Sequence, residues 1–429
     1  MIGLPPFPMA PRVGGHRLDP VANTGATGGS FEFELPVPGG GSSGVQWAYA
    51  VVDPDSGTTR DLVLSVAYDG DVYLGTVDLS SLDAATATGD ADAARASIAW
   101  ARLELPPAAT ARGYTGVADH AHVHGFGSHW ISAQLAGGAY DDSEHNDAWL
   151  FRVERADVEA AAAVGSTVAP RREVLVYSAD PVSAFRPGSL VQDFDRGHAS
   201  NDHFLVVTPS GVALAIVLQA DKQLRLVVVD PGLMLARDDV AFAGRGPPDL
   251  PCDTTGSASG PSAGQRGRWR VIVPDSLLLE TDANTLRVFD TDENLSSPLA
   301  ATYSGSLPGA SLQMPSFVTL GNGDTVLATK LVPCSTDEAG PKYPDDGAVV
   351  GDWGHLVVAL WNEDFTAMYQ VARLLVAGSS GGATGYNRPH VSRWGRWLIT
   401  CWDEADLDGS RQTESNHRSK LRVDLLVPT

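Results

Sequence analysis

HVHGFGSHWISAQ, residues 122–134, reads as a strand, a Gly-Phe-Gly-Ser turn and a second strand. Successive side chains of a strand point to opposite faces, so two such runs around a tight glycine-bearing turn form a β-hairpin. The pattern returns as HFLVVTPSGVALAIVL (203–218), SFVTLGNGDTVLATKL (316–331) and HVSRWGRWLITCW (390–402). A third run follows each hairpin: NDAWLFRVE (146–154), KQLRLVVVD (222–230), HLVVALWNE (355–363) and SKLRVDLLV (419–427). A fourth follows in most cases, as EVLVYSA (173–179), DVAFAG (239–244) and MYQVARLLVA (368–377).

Two units fit less closely. One runs through VQWAYAVVD, RDLVLSVAYDG, DVYLGTVDL and SIAWARLEL (45–105), the other through RWRVIVPDS, LLLETDA, TLRVFDTD and AATYSG (268–305). The last unit lacks a fourth strand, and FEFELPV (31–37) belongs to no unit. A closed ring of blades leaves no unpaired edge, and a strand from the opposite terminus can complete its last blade. The repeat therefore predicts an all-β chain folded as a single β-propeller of six four-stranded blades, with seven as the rival count, closed by the N-terminal strand. Two stacked β-sandwiches would also supply many short strands, but would not require one unit to recur throughout. Residues 1–30 are then an N-terminal extension, residues 31–429 the propeller, and 251–267 and 334–348 inserts. Helical periodicity is confined to ERADVEAAAAVGS (154–166) and the region near residue 90.

Composition agrees with this reading and narrows the partners. The 45 Gly and 28 Pro supply turns, while 43% hydrophobic and 19% charged residues describe a chain able to bury a core. Thirty Lys and Arg against 52 Asp and Glu leave a net charge of −22, which repels phosphate backbones and argues against nucleic acid. No run is long and apolar enough for a membrane span or a signal core; a leader removed ahead of residue 1 would make the address extracellular. Cys252, Cys334 and Cys401 are too few for a disulfide framework; the first two lie in polar loops where one bridge could form, and Cys401 reads as a core thiol. No GxSxG, GxxxxGK[ST], HExxH, EF-hand or Asp-box pattern occurs.

In a propeller the residues entering each innermost strand converge on one mouth of the channel, whatever their separation in sequence. Here they are Gln46, Asp119, His120 and His122, Asn201, Asp202 and His203, Arg268 and Arg270, Gln313, then Asn387, Arg388 and His390. Polar groups converging where the strands continue apolar make the expected ligand site. His120, His122 and His124 alternate, so their rings share one face and are candidate ligands of a divalent metal; packing between blades is the other reading. His122, His203, Tyr386, Arg388 and His390 hold the groups for base catalysis beside a neutralised substrate carboxylate, and Gln46, Asp119, Asn201, Gln313, Asn387 and Trp394 would bind substrate. Paired carboxylates for glycoside hydrolysis are available in Asp119, Asp202, Asp403 and Glu404. Trp130, Trp149, Trp361, Trp397 and Trp402 read as packing between blades, and Trp394 as a sugar-stacking ring.

The hairpin unit resembles the generic repeat of secreted bacterial propellers over much of the chain. That resemblance implies a carbohydrate-active propeller, a polysaccharide lyase or glycoside hydrolase working at the channel mouth on an oligo- or polysaccharide. The alternative is a non-catalytic propeller that binds a ligand or a protein partner.

Overall fold

The computed structural model describes residues 16–18, 30–38, 44–53, 62–77, 90–110, 114–137, 147–177, 199–208, 211–218, 223–233, 263–264, 268–274, 286–292, 300–305, 310–320, 324–333, 335–337, 340–342, 354–362, 368–375, 383–394, 397–407 and 414–428. The apolar runs form strands because β-branched and aromatic side chains fit a pleated, half-buried surface. After β1 (His16–Leu18) and β2 (Ser30–Glu34), the first sheet joins β3 (Gln46–Val52), β4 (Leu62–Tyr68), β5 (Asp71–Val77) and β6 (Ala99–Leu103) in antiparallel succession. The second contains β7 (Tyr114–Gly125), β8 (Ser128–Gly137), β9 (Asp147–Val153) and, after β10 (Thr167–Val168), β11 (Arg172–Tyr177); β10 instead runs parallel to β6. The third is three-stranded: β12 (Ala199–Thr208), β13 (Gly211–Leu218) and β14 (Gln223–Val229).

The fourth sheet is β15 (Ala263–Gly264), β16 (Arg268–Pro274), β17 (Leu286–Asp292) and β18 (Ala300–Gly305). In the fifth, β19 (Ala310–Thr319) and β20 (Thr325–Pro333) are separated from their partners by a small hairpin of β21 (Ser335–Asp337) and β22 (Gly340–Lys342). The sheet then continues in β23 (His355–Trp361) and β24 (Met368–Leu375). The last holds β25 (Ala383–Trp394), β26 (Trp397–Leu407) and β27 (Glu414–Pro428). Its outer strand pairs with β2, Phe33 opposite Leu421, and β1 pairs with its far end.

The first strands of the sheets lie side by side: β3 against β7, β7 against β12, β16 against β19, β19 against β25, and β25 against β3. The core accordingly sits between sheets. Val45, Ala48, Leu62 and Leu64 of the first meet Ile399, Cys401 and Leu421 of the last. Val72 and Leu74 meet Ile131 and Trp149 of the second, and Trp130 and Leu150 meet Leu205 and Val212 of the third. Sheets packed face to face around a common set of first strands make this an all-β single propeller.

The expectation of six or seven four-stranded blades is corrected to four complete ones among the described residues: the first, second and fifth sheets, and the last with β2 as its fourth strand. The third sheet has three strands, and the fourth has three long strands plus a two-residue edge. In that fourth sheet β16 pairs directly with β17, Val271 opposite Phe289. LLLETDA and DVAFAG lie outside the described residues.

The hairpin over 122–134 forms as expected, closed by Gly125 and Ser128, with Phe126 (φ 53°) and Gly127 (φ 68°) as its two-residue loop. Positive φ at both loop positions matches the right-handed twist of the flanking strands. Gly125 is demanded by packing, since a Cβ there would stand 2.7 Å from Cγ1 of Val207 in the third sheet. Helix α1 (Ala91–Ala96) is capped by Asp90, whose carboxylate accepts the Ala93 N–H at 2.9 Å; α2 (Pro107–Thr110) is a single turn opened by proline. Helix α3 (Arg155–Ala163) falls within the predicted 154–166 and buries Val158, Ala161 and Ala162. Cys401 is a free, fully buried thiol, and burial raises its pKa; Cys252 and Cys334 lie outside the described residues. Among the described residues no helix is long and apolar enough to cross a membrane.

Candidate active site at the bulged ends of the inner strands

Five first strands lose register with their neighbours near the stretch where polar residues give way to apolar ones. The shifts fall between Gln46 and Tyr49, Val117 and Asp119, Ala199 and His203, Gln313 and Ser316, and Asn387 and His390. A bulge sets two residues against one and re-aims the side chains beside it. Gln46, Asp119, Asn201, His203, Gln313, Asn387, Arg388 and His390 all lie at or beside these bulges. The side chains of Asn201, His203, Gln313 and Trp394 are outside the described residues.

Three of the bulges meet in one network. Arg388 (φ 44°) and Trp47 (φ 53°) are both left-handed without being glycine, a conformation that costs of order 1–3 kcal/mol each and clusters at functional sites. The Arg388 guanidinium donates to Asp119 Oδ1 at 2.8 Å and lies 4.2 Å from the Trp47 ring centroid. The Asn387 side-chain oxygen accepts the Arg388 N–H at 2.9 Å. The Trp47 N–H donates to Asp403 Oδ2 at 2.8 Å, and the Ser419 hydroxyl donates to Asp403 Oδ1 at 2.6 Å. One guanidinium thus joins Asp119 of the second sheet to the last sheet, with Trp47 of the first lying over it.

The two carboxyl groups sit in different surroundings. Both are buried, at 3% exposure, whereas the Arg388 side chain keeps 17%. Asp119 holds a direct ion pair with Arg388 and also accepts the His120 N–H at 2.7 Å. Burial pushes Asp403 up to about 6, against the lowering effects of Ser419, the Trp47 N–H and the Arg388 charge. The site therefore sets an ion-paired carboxylate beside a buried carboxyl that titrates within about one pH unit of neutrality.

Behind it the histidines form a chain between the first two sheets. His120, His122 and His124 share one face as period two requires, and His129 joins them as the cross-strand partner of His124. The Ser65 hydroxyl bridges His120 Nε2 at 3.0 Å and His122 Nδ1 at 3.1 Å, and His122 Nε2 meets His129 Nδ1 at 3.0 Å. Both nitrogens of His122 are therefore engaged in the interior, and burial with neighbouring histidines holds its pKa well below the usual value. Tyr49 stands edge-on between the His120 and His390 rings, at 5.0 and 4.9 Å. Burial brings His390 down to about 4. Tyr386 pairs through its backbone with Gly354 and lies opposite Glu404, and Gln46 is half-buried opposite Ala67.

Of the candidate metal ligands His120, His122 and His124, only the last meets other donor groups suited to an ion. His120 and His122 turn to Ser65, and the donors that come together are Asp53, His124 and His129, whose ligand atoms lie within 4.8 Å of one another. Asp53 closes VQWAYAVVD, far from the histidines in sequence, and only the packing of the first sheet on the second brings it there. Trp47, Ser65 and Ser419 were likewise unmarked; a polar residue at the end of an apolar strand was the available signal for Asp53. Trp130, Trp149, Trp361, Trp397 and Trp402 are all buried, as expected.

No family model matches the chain, and no curated protein matches it. Among solved structures it is similar to a protein of unknown function from Dyadobacter fermentans, with 9% identity over 92% of this chain and 99% of that one and a TM-score of 0.48. It is similar to an alpha-L-arabinofuranosidase from Podospora anserina in complex with cellotriose, with 11% identity over 75% and 94% and a TM-score of 0.41. A sialidase from Trypanosoma rangeli gives 11% identity over 92% of this chain and 57% of that one, with a TM-score of 0.46. By the order and packing of its own sheets, the chain is an all-β single propeller.

Proposed function

We propose that this propeller is carbohydrate-active and hydrolyses glycosidic bonds at the bulged mouth of its inner strands, on a ring that β2 closes by pairing with β27. The observation that carries the reading is the pair Asp119 and Asp403, contributed by different sheets, the first ion-paired to Arg388 and the second pushed up to about 6 by burial. Glycoside hydrolysis uses two carboxyl groups, one protonating the leaving oxygen while the other, ionised, assists on the opposite face of the sugar. With a pKa of about 6, Asp403 would be the acid, and Asp119, paired with Arg388, the partner. Arg388 and the half-buried Trp47 would face the substrate, and His390 and Tyr49 would line the site behind them. Elimination by a histidine base is less favoured, because both nitrogens of His122 are already engaged by Ser65 and His129.

The test is a panel of neutral and uronate oligosaccharides, read by mass spectrometry and by ultraviolet absorbance of unsaturated ends. Hydrolysis adds water to the products, and Asp403→Asn and Asp119→Asn should each lower the rate at least a hundredfold. Unsaturated ends would assign the site to a lyase instead. Tight binding without turnover would assign a binding module.

A further inference from the structure

At the other end of the same strands lies a second cluster, which the proposed chemistry does not use. Asp53 follows the last residue of β3, while His124 and His129 face each other across the hairpin of β7 and β8. His124 Nε2 stands 3.3 Å from Asp53 Oδ1, and His129 Nε2 stands 3.8 Å from Asp53 Oδ2, the latter longer than a hydrogen bond. The two rings are tilted at 59° with centroids 4.9 Å apart. Asp53 and His129 are buried, and the His124 side chain is 6% exposed.

We propose that Asp53, His124 and His129 form a site for a divalent transition metal, Zn2+ by donor chemistry, that staples the end of β3 to the hairpin of the second sheet. Two imidazoles and a carboxylate are a borderline donor set suited to Zn2+, with a fourth position left for water. Ligand atoms about 2.0–2.1 Å from a tetrahedral ion stand about 3.3 Å apart, which His124 Nε2 and Asp53 Oδ1 already match and the whole set, within 4.8 Å, approaches. The ring of His129 is also held from behind. His122 Nε2 holds His129 Nδ1 at 3.0 Å, and Ser65 holds His122 in turn. Such an outer contact fixes the ring and leaves Nε2 to bind the metal. Arg155 also approaches the cluster, with Nε 3.5 Å from Asp53 Oδ2 and Nη1 3.6 Å from Glu159, so its charge is shared with a second carboxylate.

The experiment strips the full chain with EDTA and titrates it with Zn2+ alone, read by calorimetry and native mass spectrometry. One ion per chain is expected. Asp53→Asn and His129→Gln should each weaken binding at least tenfold, and His417→Gln, on β27, should leave it unchanged. Should a variant fail to fold by circular dichroism, side-chain nitrogen NMR of the wild type serves instead. Of the 11 histidines, His124 and His129 should then show metal-bound Nε2 shifts. The proposal is overturned if the stripped wild type binds no Zn2+, if folded Asp53 and His129 variants bind as tightly as wild type, or if the shifts fall on other histidines.

Discussion

Asp403→Asn should change how the stability of this protein depends on pH. The folded carboxyl titrates at about 6 against an ordinary 3.8, so between those values the folded chain holds a proton that the unfolded chain has released. Stability from this group is fully present below 3.8 and is lost as pH rises through about 6. The loss is worth about 3 kcal/mol, from roughly two pKa units at about 1.4 kcal/mol each. The buried position of Asp403 leaves little solvent to screen the effect. Asparagine cannot ionise, so the variant is free of this loss. It does place an amide nitrogen or a weaker acceptor before the Trp47 N–H and the Ser419 hydroxyl, a cost of about 1–3 kcal/mol at every pH. Urea unfolding of both proteins at steps from pH 4 to 8 should show the variant less stable at pH 4 and gaining on wild type by about 3 kcal/mol by pH 7. Profiles that run parallel to within about 0.5 kcal/mol would refute the raised pKa and, with it, the assignment of Asp403 as the acid.

The depressed pKa of His390, about 4, has the opposite sign. Its stability is present above 6.5 and lost as pH falls through 4, so His390→Gln should flatten the acid limb of the same unfolding profile. Arg388→Ala leaves the buried Asp119 carboxylate without its cation and should lower stability by about 3 kcal/mol in thermal melts. Arg388→Gly should do less harm by about 1 kcal/mol, because it relieves the φ of 44°. Gly125→Ala drives a methyl into Val207 and should cost about 1–3 kcal/mol, most of it recovered when combined with Val207→Ala in a double-mutant cycle.

Much of the fold is legible in the repeat. Glycine turns such as Phe126–Gly127, and the apolar runs of the hairpins and third strands, are local signals that the tertiary structure leaves intact. DVAFAG and LLLETDA lie outside the described residues. FEFELPV belongs to no unit of the repeat, and β2, which overlaps it, pairs with β27. In the candidate site, Asp119, Asn387, Arg388 and His390 were marked by being polar at the entry of an apolar strand. The donors of the proposed metal site are half legible: His124 belongs to the alternation, while His129 meets it across the hairpin and Asp53 reaches it only through the packing of the sheets.

The sequence by itself determined the strands, their turns, the shared face of the histidines and the acidic balance, since each follows from residue type and a period of two within one short segment. The tertiary structure alone decided the bulges at the mouth, the left-handed Trp47 and Arg388, and the meeting of Asp119 with Arg388 and of Trp47 with Asp403. Those contacts join residues hundreds of positions apart, and whether a buried carboxyl is charged depends on the groups that close around it, which no local pattern records.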